Sequence, residues 1–142
     1  MESMNVFLSY AHPDRQWAKE LATHLTEAHL TVEDPARDLL PGDNWAGKFS
    51  RALNKADAFV VLLSPDATES PRIRHEIQYA LGSTQFKDRL IPVLIRPTGG
   101  IPWILKEMDI IEPRDPLEAA QQIVPLLMGR QSGPRTRSRA AR

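Results

Sequence analysis

Short apolar runs and helical apolar stripes alternate along this chain. Apolar side chains on both faces of Met4–Tyr10 are typical of a strand that is covered by helices on both sides. Continuous apolar runs predict buried parallel strands at Ala58–Leu63 and Leu90–Ile95. Two shorter strands are predicted at Leu30–Glu33 and Met108–Ile111. The pattern therefore predicts five strands.

Between these strands, apolar residues recur at intervals of three and four, which predicts helices. The expected helices cover residues 13–29, then Asp43 or Asn44 to Ala56, Ser70 to Gly82, and Asp115 to Gly129. Pro92 lies inside a predicted strand, where it removes one backbone donor. That strand is therefore expected to be kinked or to lie near an edge of the sheet.

Alternating strands and helices indicate an α/β fold, a flavodoxin-like five-stranded parallel sheet with helices on both faces. In such sheets, ligands bind outside the carboxyl ends of the strands. The segments expected to carry function are 9–14, 34–43, 64–70 and 96–103. A long segment with little apolar content, Asp34–Asp43, is predicted to form a functional loop.

The length of 142 residues fits one domain, which we place at residues 1–129. Basic and acidic residues number 18 each, but five arginines lie in residues 130–142, which carry no acid. The first 129 residues therefore hold 13 basic and 18 acidic residues, which does not suit a nucleic-acid surface. Residues 130–142 are expected to form a disordered basic tail.

Several kinds of site are absent from the sequence. The chain has no cysteine, which excludes disulfides, thiolate metal sites and thiol nucleophiles. Its four histidines lack metal-site spacing, and its seven glycines fit no phosphate-binding loop, so neither a metal nor a bound cofactor is expected. No apolar run approaches membrane-spanning length, and the N-terminus does not resemble a signal sequence. We expect a cytoplasmic protein without a membrane segment.

Glu76 is the candidate functional residue that the helical pattern singles out. It falls at the margin of the apolar stripe, in the early turns of a helix that follows a buried strand. Such a position can face a ligand at the mouth of the sheet. The alternative is a surface acid that pairs with Arg72, one turn earlier.

Four segments in this order resemble a Toll/interleukin-1 receptor (TIR) domain of bacterial type. They are Val6–Asp14 (VFLSYAHPD), Leu39–Trp45 (LLPGDNW), Ala56–Pro65 (ADAFVVLLSP) and Glu69–Leu81 (ESPRIRHEIQYAL). The resemblance is collinear over residues 4–128. It implies a five-stranded flavodoxin-like sheet. It also implies one of two functions, since the family contains signalling scaffolds and enzymes that cleave NAD+ at its nicotinamide–ribose bond.

The resemblance also implies roles for individual residues. Glu76 occupies the position of the catalytic glutamate. The residues implied to lie around the substrate are Ser9, Tyr10 and Asp34, with Pro41 and Gly42 in a mobile loop that closes over it. Arg72 replaces the tryptophan that usually precedes the glutamate by one turn, and could hold a phosphate of the substrate or neutralise Glu76.

The function expected from the resemblance is cleavage of NAD+, as substrate, to nicotinamide and linear or cyclic ADP-ribose in bacterial immune or cell-death signalling. Expected partners are other TIR domains, by self-assembly, or a sensor protein. One alternative is a non-catalytic adaptor that associates through Asp34–Asp43 and its helix surfaces. Another is a nucleoside ribosyltransferase-like enzyme, which shares the fold and a single catalytic glutamate.

Overall fold

A computed structural model describes residues 4–37 and 40–128. Within these residues, four parallel strands form one sheet in the order β2-β1-β3-β4. The strands are β1 (Asn5–Ser9), β2 (Thr31–Glu33), β3 (Ala58–Leu63) and β4 (Leu90–Leu94). The parallel α/β architecture that the alternating pattern predicts is confirmed.

Six α-helices connect and flank the strands in the described part of the chain. They are α1 (Arg15–Glu27), α2 (Trp45–Lys55), α3 (Pro65–Thr68), α4 (Pro71–Leu81), α5 (Trp103–Lys106) and α6 (Pro116–Met128). Short 3-10 turns lie at His12–Asp14 and Thr84–Phe86. The pattern did not predict α3, α5 or the turn at Thr84–Phe86, because three or four residues are too few to show a helical period. The turn at His12–Asp14 covers the first residues of the helix predicted at 13–29, which is α-helical from Arg15.

The predicted fifth strand at Met108–Ile111 is wrong. Ile111 forms a single parallel bridge with Val93 outside the named strands. The backbone N–H of Met108 donates to the carbonyl of Leu105 at 3.0 Å, so the chain is still turning out of α5 where the strand was expected to begin. Too few extended residues remain for a ladder, although their backbone still covers the outer edge of β4.

The apolar core lies on both faces of the sheet. On one face, α1 and α6 pack over alternate residues of the strands, among them Val6 and Val60. On the other face, α2 and α4 cover Phe7 and Phe59, whose rings stack with centroids 5.4 Å apart. This arrangement confirms helices on both faces, as the apolar content of each strand face predicted.

Predicted helix caps and the predicted edge strand are present. The Asn44 side chain accepts a hydrogen bond from Gly47 N at 3.1 Å, so Asn44 rather than Asp43 caps α2. Ser70 caps α4 in the same way, through Ile73 N at 3.2 Å. The strand that contains Pro92, β4, is the last in the sheet order, as its proline indicated. Gly129 and the predicted tail lie outside the described residues.

Candidate active site

Glu76 is buried at the carboxyl edge of the sheet. Ser70 and Pro71 fix the start of α4, which places Glu76 in its second turn, on the same side as buried Ile73 and Ile77. Only 5% of the residue is exposed. The alternative of a surface acid is therefore wrong, although the predicted pairing with Arg72 is present.

Two donors hold the two oxygens of the Glu76 carboxylate. Ser9, the last residue of β1, donates its hydroxyl to Glu76 Oε1 at 2.7 Å. Arg72 Nη1 donates to Glu76 Oε2 at 3.0 Å, and Arg72 Nη2 donates to the carbonyl of Tyr10 at 2.9 Å. The strand end and the helix are thus joined through the carboxylate.

Burial and charge act in opposite directions on Glu76. Burial raises the pKa of the Glu76 carboxyl, while the Arg72 guanidinium and the Ser9 hydroxyl lower it. The effect of burial is the larger, so the pKa of Glu76 lies above its ordinary value. The sequence predicted both influences without deciding between them, because the decision depends on the depth of burial.

Tyr10 and Asp34 are brought together, and their side chains bind each other. The Tyr10 hydroxyl donates to Asp34 Oδ1 at 2.8 Å, and both residues are buried. The same carboxylate oxygen accepts a hydrogen bond from Arg37 N at 3.2 Å. Burial, with the neighbouring Asp34 charge, raises the pKa of Tyr10 far above its ordinary value, so Tyr10 is a neutral donor. This contact ties the end of β1 to the start of the 34–43 segment.

Pro41 and Gly42 lie in an exposed turn before α2. Gly42 has a φ of +87°, which L-residues with a side chain rarely adopt. The Asp43 carboxylate stabilises the turn, because it accepts a hydrogen bond from Leu40 N at 2.7 Å and forms an ion pair with Lys48. Within residues 4–37 and 40–128, neither Pro41 nor Gly42 contributes a hydrogen bond to Glu76.

Two aromatic residues of α2 complete the surroundings of Arg72. Its guanidinium carbon lies 5.1 Å from the centre of the Phe49 ring, which corresponds to a cation–π contact. The Phe49 ring in turn packs against Trp45, with centroids 4.9 Å apart, and Trp45 is 42% exposed. In the sequence, both fall in the apolar stripe of the helix predicted to end at Ala56, which gave them no role beyond the core. The sequence feature that could have indicated a role at the site is the spacing of these two aromatics, one helical turn apart and directly after a candidate functional loop.

A second polar cluster at the same edge of the sheet was not predicted. The buried carboxylate of Asp14 accepts a hydrogen bond from Ser64 Oγ at 2.6 Å and another from Arg96 Nη2 at 2.7 Å. The Arg96 guanidinium also reaches Asp66 at 2.9 Å. These contacts join loops that follow three different strands, and no local pattern in the sequence relates them. Among the described residues, no cluster of His, Cys, Asp and Glu is suited to a metal ion.

The arrangement around Glu76 is suited to binding and stabilising positive charge. Each carboxylate oxygen has two acceptor positions, and among the described residues it accepts one hydrogen bond, from Ser9 or from Arg72. The remaining positions can accept hydrogen bonds from hydroxyl groups of a ligand. In a buried setting such interactions are stronger than in water.

Comparisons with solved structures show the fold. The TIR domain of the Toll-related receptor TRR-2 from Hydra magnipapillata is similar, with 24% identity over 89% of this chain and 93% of that chain, at a TM-score of 0.66. A CMP N-glycosidase, BcmB from Clostridium botulinum, has 20% identity over 84% and 97%, at a TM-score of 0.56. A diflavin flavoprotein A3 from Nostoc sp. has 11% identity over 91% and 99%, at a TM-score of 0.51.

Sequence comparison gives the family. No curated protein sequence matches the chain significantly. None of the helices in the described residues is both long enough and apolar enough to span a bilayer. The family model for the TIR domain matches residues 6–124, which include Ser9, Tyr10, Asp34, Arg72 and Glu76. The chain therefore belongs to the TIR domain family.

Proposed function

We propose that this TIR domain is an enzyme that cleaves the nicotinamide–ribose bond of NAD+ and releases nicotinamide with linear or cyclic ADP-ribose. The observation that carries the proposal is the buried Glu76 carboxylate at the carboxyl edge of the sheet, held by Ser9 and Arg72. Parallel α/β sheets bind their ligands at this edge. Glu76 also lies at the position that the resemblance assigns to the catalytic glutamate.

The reaction needs one carboxylate and no acid for the leaving group. The bond between the ribose C1′ and the nicotinamide nitrogen breaks, and its electron pair stays on the nitrogen, so nicotinamide departs neutral. Positive charge grows on the ribose ring, and water then adds at C1′ and gives up a proton. In the cyclic product, a nucleophilic atom of the ADP-ribose adds at C1′ instead. Ordinary glycosidases need a second acid because their leaving oxygen must be protonated.

Glu76 acts on the ribose in its ionised form. Its unoccupied acceptor positions take hydrogen bonds from the ribose hydroxyls, which orients the ring and stabilises the growing positive charge. Ser9 fixes one oxygen of the carboxylate from β1. Because burial raises the pKa of Glu76, the active fraction of the enzyme increases as pH rises through that pKa.

The biological setting that we propose is bacterial immune or cell-death signalling in the cytoplasm. Membership in the TIR family supports a signalling role, and the resemblance of four segments to TIR domains of bacterial type supports the bacterial setting. Activation would come from self-assembly with other TIR domains or from association with a sensor protein. The exposed turn around Pro41 and Gly42, directly before Trp45, is the surface that we assign to closure over the substrate.

The test is nicotinamide release from NAD+, measured across a series of protein concentrations for the wild type and Glu76→Ala. We expect release by the wild type with a specific rate that climbs with concentration, and loss of release in the variant. Chromatography of the second product distinguishes linear from cyclic ADP-ribose. Equal rates in the two proteins would remove Glu76 from the catalytic role.

The adaptor function is a second candidate, and the Arg72–Glu76 ion pair is the observation that favours it. A carboxylate that is already neutralised by its own chain can serve purely to stabilise the domain. The deciding result would be specific capture of another TIR domain together with no NAD+ consumption in a demonstrated oligomer.

A third candidate is cleavage of a nucleoside or nucleotide, favoured by the likeness in fold to a CMP N-glycosidase. This candidate uses the same glutamate, so the substrate distinguishes it. CMP and free nucleosides, assayed beside NAD+ for base release and base exchange, would decide between them. Base release from CMP but not from NAD+ would replace the NAD+ proposal.

A further inference from the structure

Arg72 is held on three sides by the protein itself. Its guanidinium donates to Glu76 Oε2 at 3.0 Å and to the Tyr10 carbonyl at 2.9 Å. Its carbon atom lies 5.1 Å from the centre of the Phe49 ring. The side chain is 22% exposed, so little of it faces solvent. Arg72 thus joins the end of β1, helix α2 and its own helix α4.

These contacts bear on whether Arg72 binds a substrate phosphate. The nitrogen atoms Nη1 and Nη2 are both directed at protein acceptors. The guanidinium has five N–H donors and these contacts use two, but they and the Phe49 ring fix its position, and little of the side chain is open to a phosphate. A phosphate that drew the guanidinium toward itself would leave the buried Glu76 charge without its cationic partner. A buried carboxylate that loses its partner is strongly destabilised. The geometry is that of a supporting group rather than a ligand-binding group.

We propose that Arg72 is a positioning residue, which fixes the orientation of the Glu76 carboxylate for the reaction and does not contact the substrate phosphates. This inference rests on the proposed NAD+ cleavage. Ser9 from β1 and Arg72 from α4 each hold one carboxylate oxygen, so the plane of the carboxylate is set from two elements. The Tyr10 carbonyl and the Phe49 ring in turn set the position of the guanidinium.

The electrostatics agree with this role. In the part of the chain that the structure describes, the polar groups that face Glu76 are the Ser9 hydroxyl on β1 and the Arg72 guanidinium on α4, and both lower the pKa that burial raises. Directly after β1, the Tyr10 hydroxyl is directed toward Asp34 and stays neutral, because burial raises its pKa. From α2, Phe49 presents an uncharged ring. Removal of Arg72 should therefore move the titration of Glu76 to higher pH.

The experiment uses two substitutions and one control on the same helix. Arg72→Met removes the charge and the donors but keeps an unbranched side chain. Arg72→Lys keeps the charge but lacks the planar pair of donors. The matched control is Arg74→Met, because Arg74 also makes two hydrogen bonds, but both go to the Thr68 carbonyl. Thermal unfolding of each protein checks that it is folded.

The experiment has two readouts. The first is kcat and KM for nicotinamide release as a function of pH. The second is the ¹³C NMR titration of the Glu76 carboxyl, whose signal is assigned by its absence in Glu76→Gln. In Arg72→Met we expect kcat to fall by up to about 100-fold, which a misplaced catalytic group can cost, with KM little changed. The acid limb of the rate and the Glu76 titration should both move to higher pH. Arg72→Lys should restore the titration more fully than kcat, and Arg74→Met should change neither.

Three results would overturn the inference. A raised KM with unchanged kcat in Arg72→Met would show that Arg72 binds the substrate. Faster turnover in that variant would show that the ion pair blocks the carboxylate. An unchanged Glu76 titration would show that Arg72 does not support the charge. The NMR result stands even if the wild type releases no nicotinamide, which would refute the proposed function separately. If Arg72→Met does not fold, the same comparisons with Arg72→Lys decide the inference.

Discussion

Removing the Ser9 hydroxyl tests whether Glu76 is held as an anion in the folded protein. Ser9 is 1% exposed, and its hydroxyl donates to Glu76 Oε1 at 2.7 Å. A hydrogen bond to a charged group contributes about 1.5–3 kcal/mol to stability, against about 0.5–1.5 kcal/mol for a neutral pair. Ser9→Ala should therefore lower the free energy of unfolding by about 2 kcal/mol at neutral pH. This loss corresponds to roughly 5–10 °C in Tm.

A double-mutant cycle with Glu76→Gln isolates this contact. In the Gln background the acceptor is neutral, so Ser9→Ala should cost about 1 kcal/mol less than in the wild type. In the wild type, the loss should also shrink as pH falls through the Glu76 pKa, because the protonated carboxyl is a neutral acceptor. The control is Ser50→Ala on the exposed side of α2, expected within about 0.5 kcal/mol of wild type.

Urea denaturation of the four proteins of the cycle, at neutral and at acidic pH, supplies the measurement. Additive effects of Ser9→Ala and Glu76→Gln on the free energy of unfolding at neutral pH would refute this expectation, since they would show that the hydroxyl does not interact with the charge. A loss that does not change with pH would refute it in the same way. Either result would leave Ser9 as a residue that only ends β1.

Three further predictions concern the stability of the domain, and urea denaturation measures each of them. The pKa of Glu76 is higher in the folded protein than in the unfolded chain. The contribution of Glu76 to the free energy of unfolding is therefore fully present below the pKa of the unfolded chain, and it is lost as pH rises through the pKa of the folded protein. Wild type should therefore lose stability relative to Glu76→Gln across that window, and a constant difference would contradict this. Phe59 is fully buried between Phe7 and Phe86, so Phe59→Ala should cost about 3–5 kcal/mol, and a loss below about 1 kcal/mol would contradict the assigned core. Asn44→Ala removes the cap of α2 and should cost about 1 kcal/mol, whereas no loss would show that the cap is dispensable.

The sequence predicted the parts of the fold that depend on regular periods. Ala58–Leu63 is a strand with the predicted bounds, and α4 begins after the predicted cap at Ser70. The strand predicted at Met108–Ile111 is wrong, because an apolar run does not show whether the chain has completed the turn that precedes it. Short helices such as α3 were not predicted, because a helix of four residues has too few apolar positions to show a helical period.

Periodicity in the sequence predicted only the part of the candidate site that lies on a single helix. Arg72 and Glu76 are four residues apart, so their pairing followed from helical spacing. The hydrogen bond from Ser9 to Glu76 spans 67 residues, and only the resemblance brought the two residues together before the structure did. Phe49 beneath Arg72 was missed, because an aromatic in an apolar stripe is ordinarily read as core.

The most direct test of the central claim is single-turnover cleavage of NAD+ by assembled protein, compared between Glu76→Gln and Glu112→Gln. The first substitution removes the charge from the buried carboxylate with almost no change in shape, and the second makes the same change at an exposed glutamate. We predict that Glu112→Gln releases nicotinamide at the wild-type rate, whereas Glu76→Gln loses at least about 100-fold, the cost of removing one charge-stabilising group. Equal rates in the two variants would contradict the claim that the Glu76 carboxylate drives the cleavage.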